Sequence, residues 1–104
     1  MKFEWDEDKR QANIRQHGID FVDVPPLFDG YIVTVEDTRF TYDETRYITI
    51  GLLKGRAIVV AHTERGEKIR IISARKATKY EENSYFEQIT NKLGTARRTE
   101  RKRH

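Results

Sequence analysis

The chain has 104 residues, 36% of them charged and 37% hydrophobic, which fits one domain with a single modest core. It carries no cysteine, which excludes a disulfide scaffold, a thiol nucleophile and cysteine-based zinc or iron–sulfur sites, and fits a reducing compartment. No apolar run approaches the roughly 18 residues of a membrane span, and Met1-Lys-Phe-Glu-Trp-Asp6 lacks a signal-peptide core, so a cytoplasmic protein that avoids membranes is expected.

Phe3 to Trp5 reads as a short strand or an extended lead-in. Asp6 is placed to cap a helix over residues 7–16, whose first turn carries Glu7 and Asp8; carboxylates there complement the helix dipole. Ala12 and Ile14 are its only clear apolar positions, so a thin buried stripe is expected. Gly18 suits the left-handed residue that ends such a helix. A second helix starting at Asp20, with Phe21, Val24, Leu27 and Phe28 as its apolar face, is broken or very short because Pro25-Pro26 cannot sit in its middle.

Four strand-like runs follow, at residues 31–35, 46–53, 56–63 and 68–73, joined in part by turns at Lys54-Gly55 and Arg65-Gly66. Their β-branched content and glycine turns predict an antiparallel meander. Both faces of the central strands carry apolar groups, so helices are expected over one face and a C-terminal helix or a partner over the other. From residue 76 or 78 to Leu93 the pattern is helical, with Tyr85, Phe86 and Ile89 among the apolar positions, and Gly94 is expected to stop it. The fold class is therefore α+β: N-terminal helices, a four-stranded antiparallel sheet with Phe3–Trp5 as a candidate fifth strand, and a C-terminal helix. Residues 1–94 form the domain, and 95–104 read as a disordered basic tail.

Charge points to the site. Residues 97–104 carry five bases and one acid, residues 1–53 six bases and eleven acids, and residues 54–79 eight bases and two acids. A basic middle segment in a nearly neutral body favours an anionic ligand. Within it, strand alternation puts Lys68, Arg70 and Ile72 on one face and Ile69, Ile71, Ser73 and Arg75 on the other. Arg65, Arg70 and Arg75 are candidate phosphate ligands, because the guanidinium fork makes paired, charge-assisted bonds and stays ionised. His17, at a helix C-terminus, Glu64 and Lys9 are candidates for proton transfer. His62, alternating with Val60 and Ile58, reads as a satisfied half-buried group, and His104 as a disordered terminal one. Tyr42, Tyr47 and Tyr80 are candidates to stack bases or to pack at the rim. The histidines lack metal-ligand spacing, and no Walker loop, GxGxxG or GxSxG is present; no cofactor is expected.

Taken in order, Phe3-Glu-Trp-Asp6, Lys9 with Asn13 and His17-Gly-Ile19, Phe21 and Phe28, Asp37-Thr-Arg39 with Tyr42-Asp-Glu44 and Arg46, Thr63-Glu-Arg-Gly66, and Arg70-Ile-Ile-Ser-Ala-Arg75-Lys-Ala77 resemble the BrnT family, ribonuclease toxins of bacterial type II toxin–antitoxin pairs. The matching stretches run from residue 3 to about 85. The resemblance implies a RelE-like fold and RNA cleavage that blocks translation. It implies neutralisation by a BrnA-like antitoxin with a DNA-binding region, and operator DNA bound through the complex. Metal-free cleavage is the mechanism that fits both readings. The residues alone leave open a non-catalytic nucleic-acid-binding module, or a protein-interaction module built on the apolar sheet face.

Overall fold

The computed structural model describes residues 1–39, 41 and 43–101, the last nine as backbone only. Strand β1 (Lys2–Trp5) leads into helix α1 (Glu7–His17), two 3-10 turns (Phe21–Asp23 and Pro25–Asp29), strands β2 (Val33–Glu36), β3 (Arg46–Leu53), β4 (Arg56–Arg65) and β5 (Lys68–Lys76), and helix α2 (Lys79–Arg101).

The strands form one sheet in the order β1-β5-β4-β3-β2. β2 to β5 make the expected antiparallel meander, but β1 is a fifth strand and pairs parallel to β5. The sheet is therefore mixed. α1 is the reason: it carries the chain back along the sheet between β1 and the remaining strands, and a crossover connection of this kind permits parallel pairing.

Local chemistry accounts for the element ends. The Asp6 side chain accepts from the Lys9 N–H at 3.0 Å and starts α1, and Gly18 ends it at φ +69°. Lys54 (φ 52°) and Gly55 (φ 81°) both take the left-handed region required by a two-residue hairpin turn. The two prolines divide the expected second helix into its two 3-10 turns. α2 begins on a capping box: the Glu81 N–H donates to Thr78 Oγ1 at 3.1 Å, and the Thr78 N–H donates to Glu81 Oε1 at 2.8 Å. Gly94 does not stop α2, which continues to Arg101. One glycine costs a helix only about 1 kcal/mol relative to alanine, and the following residues are mostly good helix formers. His104, with 102 and 103, lies outside the described residues.

The core sits on one face of the sheet. Ile58, Val60, Ile71 and Ala74 pack there against Ile19, Phe21, Val24 and Leu27 from the segment after α1. Asn13 fastens α1 to β5: its Nδ2 donates to the carbonyls of Ile19 and Ala74 at 2.9 Å each, and its Oδ1 accepts from the Ala74 N–H at 3.1 Å. The other face is covered in part by the start of α2, where the buried Tyr85 donates its hydroxyl to the Tyr31 carbonyl at 2.6 Å.

Candidate active site

The arrangement of the basic strand differs from simple alternation. In β5, Arg70 is in register with Thr63, and Arg75 with Val59. Thr63 and Val59 are four apart on β4 and so share a face. An irregularity opposite Ala61/His62 inserts one extra residue in β5, because His62 pairs with Ile71 and Ala61 with Ser73. Simple alternation would separate Arg70 from Arg75; this β-bulge puts both on the face away from the core. Arg65, in register with Lys68, lies on that face too.

The three guanidinium groups are strung along the face and do not meet. Arg70 and Arg75 are five residues apart, roughly 15 Å along the strand, and each has its own carboxylate. Arg65 pairs with Glu44 at 3.6 Å, Arg70 with Glu4 at 3.3 Å, and Arg75 with Glu81 at 2.8 Å. Arg75, and not Arg65 or Arg70, lines a cavity of about 260 Å³ on this face, bounded by Val35, Asp37, Arg39, Ile48 and Glu81.

Two arginine–carboxylate forks stand at this cavity. Arg75 Nη1 and Nη2 donate to the two Glu81 oxygens at 2.8 Å each. Arg39 Nε and Nη2 donate to the two Asp37 oxygens at 2.9 and 3.0 Å. The hydrogen bonds from Arg75, helped by the Thr78 N–H, hold the Glu81 carboxyl well below its usual range, at about 2. The bonds to Glu81 raise the Arg75 pKa, and the nearby charge of Arg39 opposes that rise. The two cations are therefore close enough to repel each other. An anion placed between them relieves that repulsion, and each guanidinium is already oriented by its carboxylate.

Asp37 and Arg39 belong to the loop whose residues carried the family resemblance. Glu81 was missed as a site residue, although Thr78-Lys-Tyr-Glu81 is a readable capping box that puts its carboxylate where β5 ends.

The remaining candidates are placed elsewhere. Lys9 and His17 are on α1, in the helix layer on the opposite side of the sheet. Glu64 is in register with Ile69, whose side chain is buried on the core side, and is itself exposed. His62 is more buried than expected: Nε2 lies 2.7 Å from Thr49 Oγ1, while Nδ1 is buried without a hydrogen-bond partner, and burial pushes its pKa down to about 4. Tyr47 stacks on the His62 ring with centroids 5.8 Å apart, Tyr80 is exposed, and Tyr42 lies outside the described residues.

The model of the family described as ribonuclease toxin, BrnT, of type II toxin–antitoxin system matches residues 5–81, most of the chain and nearly all of the sheet. The chain belongs to the BrnT family. It is a toxin of a type II toxin–antitoxin pair with ribonuclease activity, so RNA is its substrate and an antitoxin is its partner. The matched segment ends on Glu81, the residue that anchors Arg75. No individual curated protein matches the chain. Among the described residues no three histidine, aspartate or glutamate side chains group as a metal site, and no helix is long and apolar enough to cross a membrane.

Proposed function

We propose that this BrnT chain is an endoribonuclease that cleaves RNA without a metal ion at the Arg39–Arg75 cavity. In the cell it stops translation in the cytoplasm. A BrnA-like antitoxin with a DNA-binding region neutralises it, and that complex binds operator DNA. The observation that supports the site is the pair of forks: two guanidinium groups, each tied to a carboxylate on both of its arms, facing one cavity.

Cleavage through the ribose 2′-hydroxyl requires a base for its proton, positive charge for the crowded phosphorane, and an acid for the departing 5′-oxygen. Arg75 and Arg39 supply the charge, in orientations set before the substrate arrives, which is where such groups contribute most. Arg70 and Arg65, farther along the same face, hold neighbouring phosphates of the strand. Glu81 is a poor base, because its carboxylate is held ionised down to about pH 2. Glu36 borders the same cavity, but its register with Tyr47 puts its side chain on the core face, so it is not assigned as the base. His17, Lys9 and Glu64, the proton-transfer candidates of the sequence, serve this reaction only if the RNA bends round the sheet to reach them.

Purified protein incubated with an RNA oligonucleotide in EDTA tests this reading. The expected result is fragments ending in a 2′,3′-cyclic phosphate, and no cleavage of the same oligonucleotide made of DNA. Salt-sensitive RNA binding without fragments contradicts it and identifies a non-catalytic module.

A further inference from the structure

A second cavity lies on the core face of the sheet, at the end where β5 stops. It is the larger of the two, about 370 Å³, and is bounded by His17, Lys54, Arg56 and Lys76 together with Asp20 and Asp23. Its floor includes Leu53 and Ile58. The register confirms its side: Lys76 pairs with Ile58 and Arg56 with Leu53, and Ile58 belongs to the core.

The charge around it is arranged differently from that of the active-site cavity. Among the described residues Lys54, Arg56 and Lys76 form no ion pair. Asp20 is already committed to Arg10, which binds both its oxygens at 2.7 and 3.0 Å. Three cations and His17 therefore face one uncommitted carboxylate, Asp23. Lys54 and Arg56 flank Gly55 in the β3–β4 turn and Lys76 ends β5, so the fold brings cations of two separate segments to one cavity. Lys54 is held there at φ 52° by the hairpin turn. A concave site with an apolar floor and converging cations suits a nucleotide: phosphate against the cations and an apolar ring face on the floor.

We propose that this cavity is a nucleotide-phosphate site, which in the working toxin holds the RNA strand at a phosphate away from the scissile one. The second half of that statement rests on the ribonuclease reading. Arg75 and Lys76 are consecutive and project to opposite faces of the sheet at one end of β5, so a strand engaged at Arg75 reaches the cavity by passing round that end. A phosphodiester of bound RNA and a free mononucleotide present the same anion, and two arms separate them.

The first arm measures affinity for a 2′-O-methyl oligoribonucleotide, which lacks the attacking hydroxyl, so its outcome is independent of whether the protein cuts RNA. The triple variant Lys54→Asn, Arg56→Gln, Lys76→Gln keeps a residue tolerant of positive φ in the turn. It is compared with Lys2→Gln, Arg15→Gln, Lys92→Gln, which removes three exposed cations elsewhere. The cavity variant is expected to bind about tenfold more weakly, with a salt slope shallower by about 2, while the control changes less than threefold. The second arm follows the His17 ring by NMR as adenosine monophosphate is added. A shift in the parent that the cavity variant abolishes, with RNA affinity unchanged, assigns the same site to a free nucleotide. Equal losses in the two triple variants together with an unshifted His17 ring overturn the proposal.

Discussion

The two cavities, one on each face of the sheet, use arginine and lysine in opposite ways. On the face away from the core, Arg39, Arg65, Arg70 and Arg75 each have a carboxylate partner, and the two at the cavity are held in two-armed forks. On the core face, three cations line a larger cavity and form no ion pair among the described residues. The first arrangement sacrifices net charge for fixed orientation, which is what a transition state requires. The second keeps its charge and suits holding a strand. Position on the sheet, not the number of basic residues, separates the two proposed roles.

The strongest way to break that contrast is to remove Arg75. Arg75→Ala is expected to lose about 100- to 1000-fold in cleavage rate, the usual cost of one preorganised donor, with circular dichroism and melting close to those of the parent. Arg70→Ala, away from the cavity, is expected to act mainly on RNA affinity. Equal rate losses in the two would show that the face works as a uniform basic surface.

The core face should answer with stability. Asn13→Ala leaves the Ile19 and Ala74 carbonyls and the Ala74 N–H buried without their partner and is expected to cost about 3 kcal/mol in urea unfolding. A loss below about 1 kcal/mol would mean that α1 is not fastened through this residue.

Acid tests the same face more gently. His62 is buried neutral with its pKa lowered from 6.5 to about 4, so between those values the unfolded chain binds a proton that the folded chain does not. Stability is complete above about pH 6.5 and declines as pH falls towards 4, by about 2 kcal/mol at pH 5. Urea unfolding at pH 7 and pH 5 measures it. His62→Gln should lack this decline, and an equal decline in the variant would assign it to other groups.

Gly51→Ala is expected to have the smallest effect, about 1 to 2 kcal/mol. The added Cβ would lie 2.8 Å from Leu27 Cγ and Cδ2, and that leucine is buried and cannot easily give way. Thermal unfolding decides it, and an unchanged melting temperature would show that the second 3-10 turn can shift from β3.

Much of this fold is legible in the sequence because its signals are local. Asp6, Gly18, Lys54-Gly55 and Pro25-Pro26 each act through their own backbone, and each does in the structure what its chemistry predicts. The meander follows from β-branched runs between glycine turns. Two features depend on pairing across the sheet and are not written locally. One is the parallel pairing of β1 with β5, set by the path of α1. The other is the bulge at Ile71–Ser73, which no residue type marks and which moves Arg75 to the face of Arg70. The basic segment thus singles out β5 as a candidate strand, while the grouping of its arginines required the register. Glu81 illustrates the same limit: its capping role is readable, but its fork to Arg75 appears only when α2 folds back on β5.

The most direct test of the two-fork site is single-turnover cleavage of an RNA oligonucleotide in EDTA by the parent and by a folded Arg75→Ala variant, with and without added guanidinium ion. The parent is expected to cleave. The variant should be slower by about 100-fold or more and recover part of its rate with guanidinium but not with sodium at equal ionic strength. A folded Arg75→Ala protein that cuts RNA at the parental rate would contradict the assignment.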